Sequence, residues 1–554
     1  DYGDYWDRYS YPPIKTTETY KGVTGTARVT EASYNNNLDP TWQKDGNYEM
    51  NATYNQYGLL LTKTYKRDAN TTVLVRNTES TDKKTIIKSE TLENDVVKSV
   101  TDYEYDSYGN VSKETLHPSE GEEIVTEYSY TYNSDGTSSV SQTIKNVADA
   151  DGANPVNITT TVNYDFWGNA ASMTDGRGNS TTSTYDALGR PLTETYPDNT
   201  SKGYYYNSTE NYIEYTQQNG NKIKYQYDPV GRLKEIYLQQ GNAYRKAVDY
   251  TYDPLGRKTT ETEYRSYNTS GTCTEKYTTS YEYDVRNRVT KATTKNISNA
   301  VVFEKAFAYD ETSSASANYT TQTITGDATI TPAKLKSEYD LRGVLKAEQI
   351  LNGTTEYLKT EYTHDFLDNI LTVKDDKARD NNKPFTVKYE YDYAGRTVKE
   401  TDIEGNFKTT AYDAAGRKTS ETDYMGTAVN YFYDAAGRLV KTTAPVDDTQ
   451  TSEQKTYYDA NGNAVKTLTA AGATDWRATA TEYDVMNRPT AVKTYPQTVT
   501  GPDLTGLAYD LTASYTYNSM GSVLTQGGAS SMTYEYNGLN QVTKMTDPEN
   551  KSET

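Results

Sequence analysis

Residues 385–438 read FTVKYEYDYAGRTVKETDIEGNFKTTAYDAAGRKTSETDYMGTAVNYFYDAAGR, and Tyr-Asp-x-x-Gly-Arg returns every 21 residues, at Tyr391, Tyr412 and Tyr433. Ahead of the motif, apolar residues alternate: Phe385, Val387, Tyr389 and Tyr391, then Val429, Tyr431 and Tyr433. Period two in aromatic and β-branched residues predicts a half-buried strand. Asp suits the first turn position, where its carboxylate accepts hydrogen bonds from turn amides. Gly suits the left-handed position that closes a type I turn with a bulge. Thr- and Lys-rich strands such as RTVKETD follow the turn, so each unit is a predicted β-hairpin.

The motif recurs outward from this stretch. Its full copies are Tyr185-Asp186…Gly189-Arg190, Tyr227-Asp228…Gly231-Arg232, Tyr252-Asp253…Gly256-Arg257, Tyr391-Asp392…Gly395-Arg396, Tyr412-Asp413…Gly416-Arg417 and Tyr433-Asp434…Gly437-Arg438. YDVRNR at Tyr283 and YDVMNR at Tyr483 put Asn in the Gly position. YDSYGN, YDFWGN and YDANGN, at Tyr105, Tyr164 and Tyr458, replace Arg by Asn, and YDLRGV at Tyr339 lacks it. Weaker copies start at Tyr54, Tyr132, Tyr206, Tyr309, His364, Tyr517 and Tyr536, making nineteen starts and roughly 38 predicted strands. A unit of about 20–30 residues cannot bury a face alone and must stack on its neighbours. No segment keeps a helical period with caps. Residues 1–100 read as an irregular capping or degenerate region, with DYGDYWDRYSYPPIK as the tail of another module or a cap. Residues 101–554 read as the repeat array. Stretches 146–157, 443–452 and 496–508 read as loops extending hairpins, because the repeat resumes after each.

Composition narrows the function. The 554 residues carry 57 Lys+Arg against 77 Asp+Glu, a formal charge of −20. That balance disfavours nucleic acid, which needs a basic footprint. A mean hydropathy of −0.90 suggests disorder, but 56 Tyr beside 7 Phe and 4 Trp supply apolar rings that hydropathy scales undercount. The expected core is therefore tyrosine. A single cysteine, Cys273, excludes an intramolecular disulfide and a cysteine metal site, and two distant histidines, His117 and His364, leave no supply for a triad or multi-histidine centre. No apolar run approaches the length of a membrane span. About 38 strands spaced some 4.8 Å apart would run on the order of 180 Å, and open twisted sheets rarely pass about 10 strands without curling.

The Tyr-Asp copies with Thr-rich tails resemble the YD repeats of the RHS (rearrangement hot spot) superfamily over about residues 101–554. The resemblance implies an all-β fold: antiparallel β-hairpin YD repeats wound into a spiralling sheet that forms a hollow shell. In bacterial members such a shell surrounds a C-terminal toxin, in insecticidal toxin complexes a similar shell encloses a toxin enzyme, and in teneurins a related barrel serves adhesion. The family's core usually ends in an Asp-Pro-containing segment, an autoprotease with aspartates in some members. Here Asp547-Pro548 sits in TDPENKSET without the flanking pattern, and Asp228-Pro229 and Asp253-Pro254 are mid-array turns. The expectation is shell wall without plug or cargo, a piece of a larger or processed protein.

Each chemical candidate has a structural counterpart. Motif aspartates could serve as catalytic or calcium ligands, but one carboxylate per turn fits turn capping. Motif arginines could form an anion stripe, but stacking on a tyrosine or pairing with an acid of the adjacent hairpin fits better. His364 replaces a repeat Tyr, His117 precedes Pro118 in a loop, and Cys273 lies in SGTCTEK. Trp6, Trp42, Trp167 and Trp476 are candidates for stacking on sugars, and Asn-x-Ser/Thr triplets at Asn110, Asn157, Asn179 and Asn207 are expected by chance in such a composition. The resulting expectation is a non-enzymatic structural shell without cofactor or metal, secreted or at the cell surface, holding a C-terminal toxin in cis. The alternative is a surface adhesion or carbohydrate-binding module with glycan or protein partners.

Overall fold

The structure is a computed structural model that describes residues 15–553 except 20–26, 36, 46–47, 315–316, 326–332, 341–342, 353–354, 447–449, 473, 529, 539 and 550. The expected tail over residues 1–15, Trp6 included, falls almost wholly outside the described residues. Two compact units divide the chain. One holds Asp1–Ile124, Ser280–Lys295 and Ala300–Ala428, and the other Val125–Thr279, Asn296–Asn299 and Val429–Thr554.

The described residues are all-β. They form 44 strands of one antiparallel sheet and a single-turn helix, Asp376–Asp380, capped by Asp375 and absent from the sequence reading. Strands pair with their sequence neighbours. Ser180–Tyr185 runs against Pro191–Thr195 with Ser183 opposite Glu194, and the register slips between Thr184 and Tyr185. That slip is the predicted bulge, and Gly189 takes the left-handed position at φ +74°. Asn287 and Asn487 occupy it at φ +65° and +62° in their copies.

The strand number exceeds the expected 38 partly because strands precede the Tyr54 unit, at Lys15–Thr19, Ala27–Tyr34 and Pro40–Asp45. The structure also shows that both ends of a repeat can use one turn chemistry. Opposite the Tyr-Asp end lie Thr-Asp-x-x-Gly turns at Asp175, Asp402 and Asp423. In the middle one Gly405 N–H donates to the Asp402 carbonyl at 3.1 Å and Asn406 N–H to the Asp402 carboxylate at 2.9 Å. These turns lack the aromatic that marks the Tyr-Asp end, which is why the repeat reads as one turn per unit.

The tyrosine core is only half realised. Motif tyrosines such as Tyr185, Tyr252 and Tyr433 are half-buried, while the largest fully buried side chains are Leu468, Val73 and Val147. In the second unit Ala150, Tyr495, Val499 and the half-buried Leu504 pack with Val440, Tyr457, Leu468 and Ala478 into one apolar cluster. Stretches 146–157 and 496–508 are thus not mere hairpin extensions. They fold over the sheet, and Val499 exchanges backbone hydrogen bonds with Trp476 at 2.8 and 2.9 Å.

Within each unit, turns 284 to 325 residues apart in sequence meet edge to edge. In the first unit the buried Arg67 donates to the Asp392 carbonyl, Phe366 N–H donates to the Arg67 carbonyl at 2.9 Å, and Ala414 N–H to the Pro118 carbonyl at 3.0 Å. In the second, Arg177 N–H donates to Asn461 at 3.0 Å and its guanidinium to the Asp484 carbonyl at 3.0 Å. Asn461 donates to Asp175 at 2.6 Å. The contacts share a pattern: turns opposite the Tyr-Asp end of an early row sit on Tyr-Asp-end turns of a later row.

Gly176 permits that approach. A Cβ there would lie 2.6 Å from the Ala460 carbonyl oxygen and 3.0 Å from Ile158 Cγ2. Gly176→Ala is expected to cost about 1–3 kcal/mol by overpacking against backbone. Gly472→Ala, whose Cβ meets nothing closer than 3.9 Å, is the control. Chemical denaturation of both variants checks this, and equal midpoints would refute it.

Candidate functional site

The recurring chemistry is the Tyr-Asp-x-x-Gly-Arg turn itself. The Asp186 carboxylate accepts from Leu188 N–H at 2.9 Å and Arg190 N–H at 3.0 Å. Its second oxygen accepts from Arg190 Nε at 2.7 Å. The Nε contact recurs in Arg232–Asp228, Arg396–Asp392, Arg417–Asp413 and Arg438–Asp434 at 2.7 Å, and in Arg257–Asp253 at 2.6 Å. The acid that pairs with each arginine is therefore its own motif's, not the adjacent hairpin's. The reason is geometric: the tight turn returns position five beside position one, so Asp and Arg face each other across its base.

The stacking half of the expectation holds. Arg190 lies 4.2 Å from the Tyr206 ring centroid, Arg232 4.6 Å from Tyr252, Arg396 4.6 Å from Tyr412 and Arg438 5.0 Å from Tyr458. Each arginine thus covers the tyrosine of the next repeat. That tyrosine donates its hydroxyl to the carbonyl just after the arginine: Tyr206 to Pro191 at 3.0 Å, Tyr252 to Leu233 at 2.7 Å and Tyr458 to Leu439 at 2.9 Å. The Arg438 guanidinium also donates to the Asp459 carbonyl of the next turn at 2.6 Å. One turn is thereby tied to its successor by a cation over a ring, a phenol on a carbonyl and a guanidinium on a carbonyl.

These bonds shift titration. The backbone N–H of Arg190, aided by its guanidinium, holds the Asp186 carboxyl below the usual range. Arg232 and Arg288, again through the backbone N–H first, do the same for Asp228 and Asp284. A carboxyl whose folded pKa is depressed stabilises the fold above its unfolded pKa of about 3.9 and stops doing so as pH falls through the folded value. The thermal midpoint is expected to be flat from about pH 7 to 5 and to fall below about pH 4. Scanning calorimetry across that range checks it, and a midpoint that rises on acidification would contradict it.

The other candidates are scattered. His117 lies not in a loop but at the end of the strand Val111–His117, opposite Val100, with Nε2 2.8 Å from Asp102 Oδ2, and His364 ends the strand Thr355–His364 in a repeat tyrosine's place. Cys273 is a free thiol that donates to the Glu275 carbonyl at 3.3 Å. Asp547 caps a turn by accepting from Glu549 N–H at 2.9 Å and Lys551 N–H at 2.7 Å. Trp476 is half-buried beneath Lys455, 4.7 Å away, which removes it from the exposed sugar-stacking candidates. Trp42 donates to Glu49 at 2.9 Å. Trp167 projects from its turn, 76% exposed, edge-on to Phe166 at 5.1 Å. Among the described residues no three His, Cys, Asp or Glu side chains gather as a metal site, and no helix is long and apolar enough to cross a membrane.

Sequence reasoning missed one polar cluster. Asp151 accepts from Lys455 at 2.8 Å and from the Tyr457 hydroxyl at 2.6 Å. Burial first, then the Asp151 hydrogen bond, pushes the Tyr457 phenol up. It joins residues about 300 apart, which no local pattern announces.

Comparison with known proteins places this geometry. The Teneurin YD-shell family matches residues 155–427, and the RHS Repeat family matches residues 412–449. No curated protein matches. Among solved structures, the TcdB2-TccC3-TEV crystal structure is 13% identical with a TM-score of 0.46, over 96% of this chain and 30% of that one. The Photorhabdus luminescens Tc holotoxin pore, carrying the TccC3-D651A mutation, is 13% identical with a TM-score of 0.35, over 94% of this chain and 32% of that one. The chain spans about a third of the length of those structures. The two family matches overlap and run together from residue 155 to 449, and the same Tyr-Asp turn continues on both sides of them: over that stretch the chain is similar to the Teneurin YD-shell and RHS Repeat families.

Proposed function

We propose that this YD-shell-type chain is wall material: a non-catalytic shell segment that encloses a C-terminal effector, a toxin carried in cis, until release. The wall would be assembled by residues 101–554, closed towards the N-terminus by residues 1–100, and would act outside the cell or at its surface. The observation that supports this reading is how the motif chemistry is used. The carboxylates, guanidiniums and phenols of the Tyr-Asp turns bond to one another and to backbone, as a self-supporting wall requires and a catalytic centre does not. Edge-to-edge turn contacts between distant rows supply the means of closure. Electron cryo-microscopy of the chain is the test. A wall around an internal cavity is expected, and a solid rod or flat sheet would overturn the reading. A reporter segment fused after Thr554 should resist protease while the wall is intact.

A second reading, surface adhesion or glycan binding, has one specific observation in its favour, the exposed Trp167 beside Phe166. Glycan-array binding lost in Trp167→Ala would favour it over containment.

A further inference from the structure

The Tyr206 copy of the motif, Tyr-Asn-Ser-Thr-Glu-Asn, has Asn211 where full copies carry arginine. Its hairpin closes without the bulge, Asn207 opposite Tyr212. The next tyrosine, Tyr227, therefore follows a unit with no arginine to cover it, as Tyr185 and Tyr391 do after Asn169 and Asn369, and among the described residues no cation lies over its ring. A cleft of about 430 Å³ opens there, lined by Arg190, Tyr206, Asn211, Tyr212, Tyr227 and Pro229. The Arg190 guanidinium on its wall is already held by Asp186 at 2.6 Å. The Asn211 amide reaches the Asp228 carbonyl, which a motif arginine would approach elsewhere, only at 3.5 Å. Beside it Glu210 is exposed, and no described residue pairs with its carboxylate.

We infer that this cleft binds an arginine side chain of a partner polypeptide. The fold itself exhibits the ligand chemistry: Arg190 on Tyr206, Arg288 on Tyr309 and Arg488 on Tyr517 sit 4.2, 4.1 and 4.8 Å from their rings. The cleft offers that ring, a turn carbonyl and a nearby carboxylate with the arginine missing. The chain's net charge of −20 draws a basic segment towards it. A planar guanidinium stacks on a ring and forks onto carbonyls, which an ammonium does less well. The inference does not depend on the containment reading.

The test is calorimetric and NMR titration of the full chain with N-acetyl-arginine amide, its lysine counterpart and neutral oligosaccharides. Saturable arginine binding is expected, about tenfold weaker for lysine. Asn211→Arg, which supplies the guanidinium in cis, should abolish binding and raise the thermal midpoint. Tyr227→Leu, which keeps an apolar side chain but removes the aromatic face, should weaken binding about tenfold and serves if the first variant does not fold. Absence of saturable arginine binding, undiminished binding in a folded variant, or preference for the oligosaccharides overturns the inference.

Discussion

Asp434→Ala should cost about 3–5 kcal/mol, because it removes a buried carboxylate and leaves its largely shielded guanidinium partner uncompensated. The Asp434 carboxylate is 1% exposed and its partner Arg438 18%. It accepts from Ala436 N–H at 3.0 Å, Arg438 N–H at 2.9 Å and Arg438 Nε at 2.7 Å. Deleting it leaves those three donors without this acceptor. It also frees the arginine that covers Tyr458 and holds the Asp459 carbonyl. The same motif at Asp186 is far wetter, with 20% of the carboxylate and 45% of Arg190 exposed. There alanine should cost about 1 kcal/mol or less, as for other solvated pairs. Denaturation of both variants measures the contrast. Equal losses would mean that the turn amides, not the buried ion pair, carry the stability.

The second large effect is expected at Leu468. It is 1% exposed and sits in the cluster of Ala150, Val440, Tyr457, Ala478 and Val499. Leu468→Ala removes buried methyls from a site closed from above by two long loops, so collapse is restricted and the cost should reach about 2–5 kcal/mol. Leu188, at the tip of a Tyr-Asp turn and 78% exposed, should lose within about 0.5 kcal/mol on the same change. Comparable losses at the two positions would refute the cluster as the anchor of this unit.

What could be read from sequence follows from range. The Tyr-Asp hairpin was legible because strand alternation, Asp cap and left-handed Gly or Asn all lie within a dozen residues, and Asn287 and Asn487 behave as that reading requires. The Asp–Arg pairing was legible in principle, since residues one and five of a tight turn face each other, but it was assigned to the wrong hairpin. The Thr-Asp turns at Asp175, Asp402 and Asp423 were hidden because threonine does not stand out in a chain this rich in it. The Leu468 cluster and the Asp151–Tyr457 bond join residues about 300 apart, and hydropathy reports no such distance. Trp476 shows the same limit: composition marks a large ring, but only the fold reveals that a lysine and a loop cover it.

The edge contacts also bear on how such a gene can change. A bond from one hairpin to its successor is indifferent to how many hairpins there are, so duplication or loss of a 21-residue unit leaves every such link intact. The meeting of Arg177 with Asn461, separated by 284 residues, is not indifferent. Removing one unit between them brings a different hairpin opposite Arg177, and every later partner slips with it. The array therefore keeps count: its length between distant partners is inherited as a fixed phase, while the individual units are free to drift.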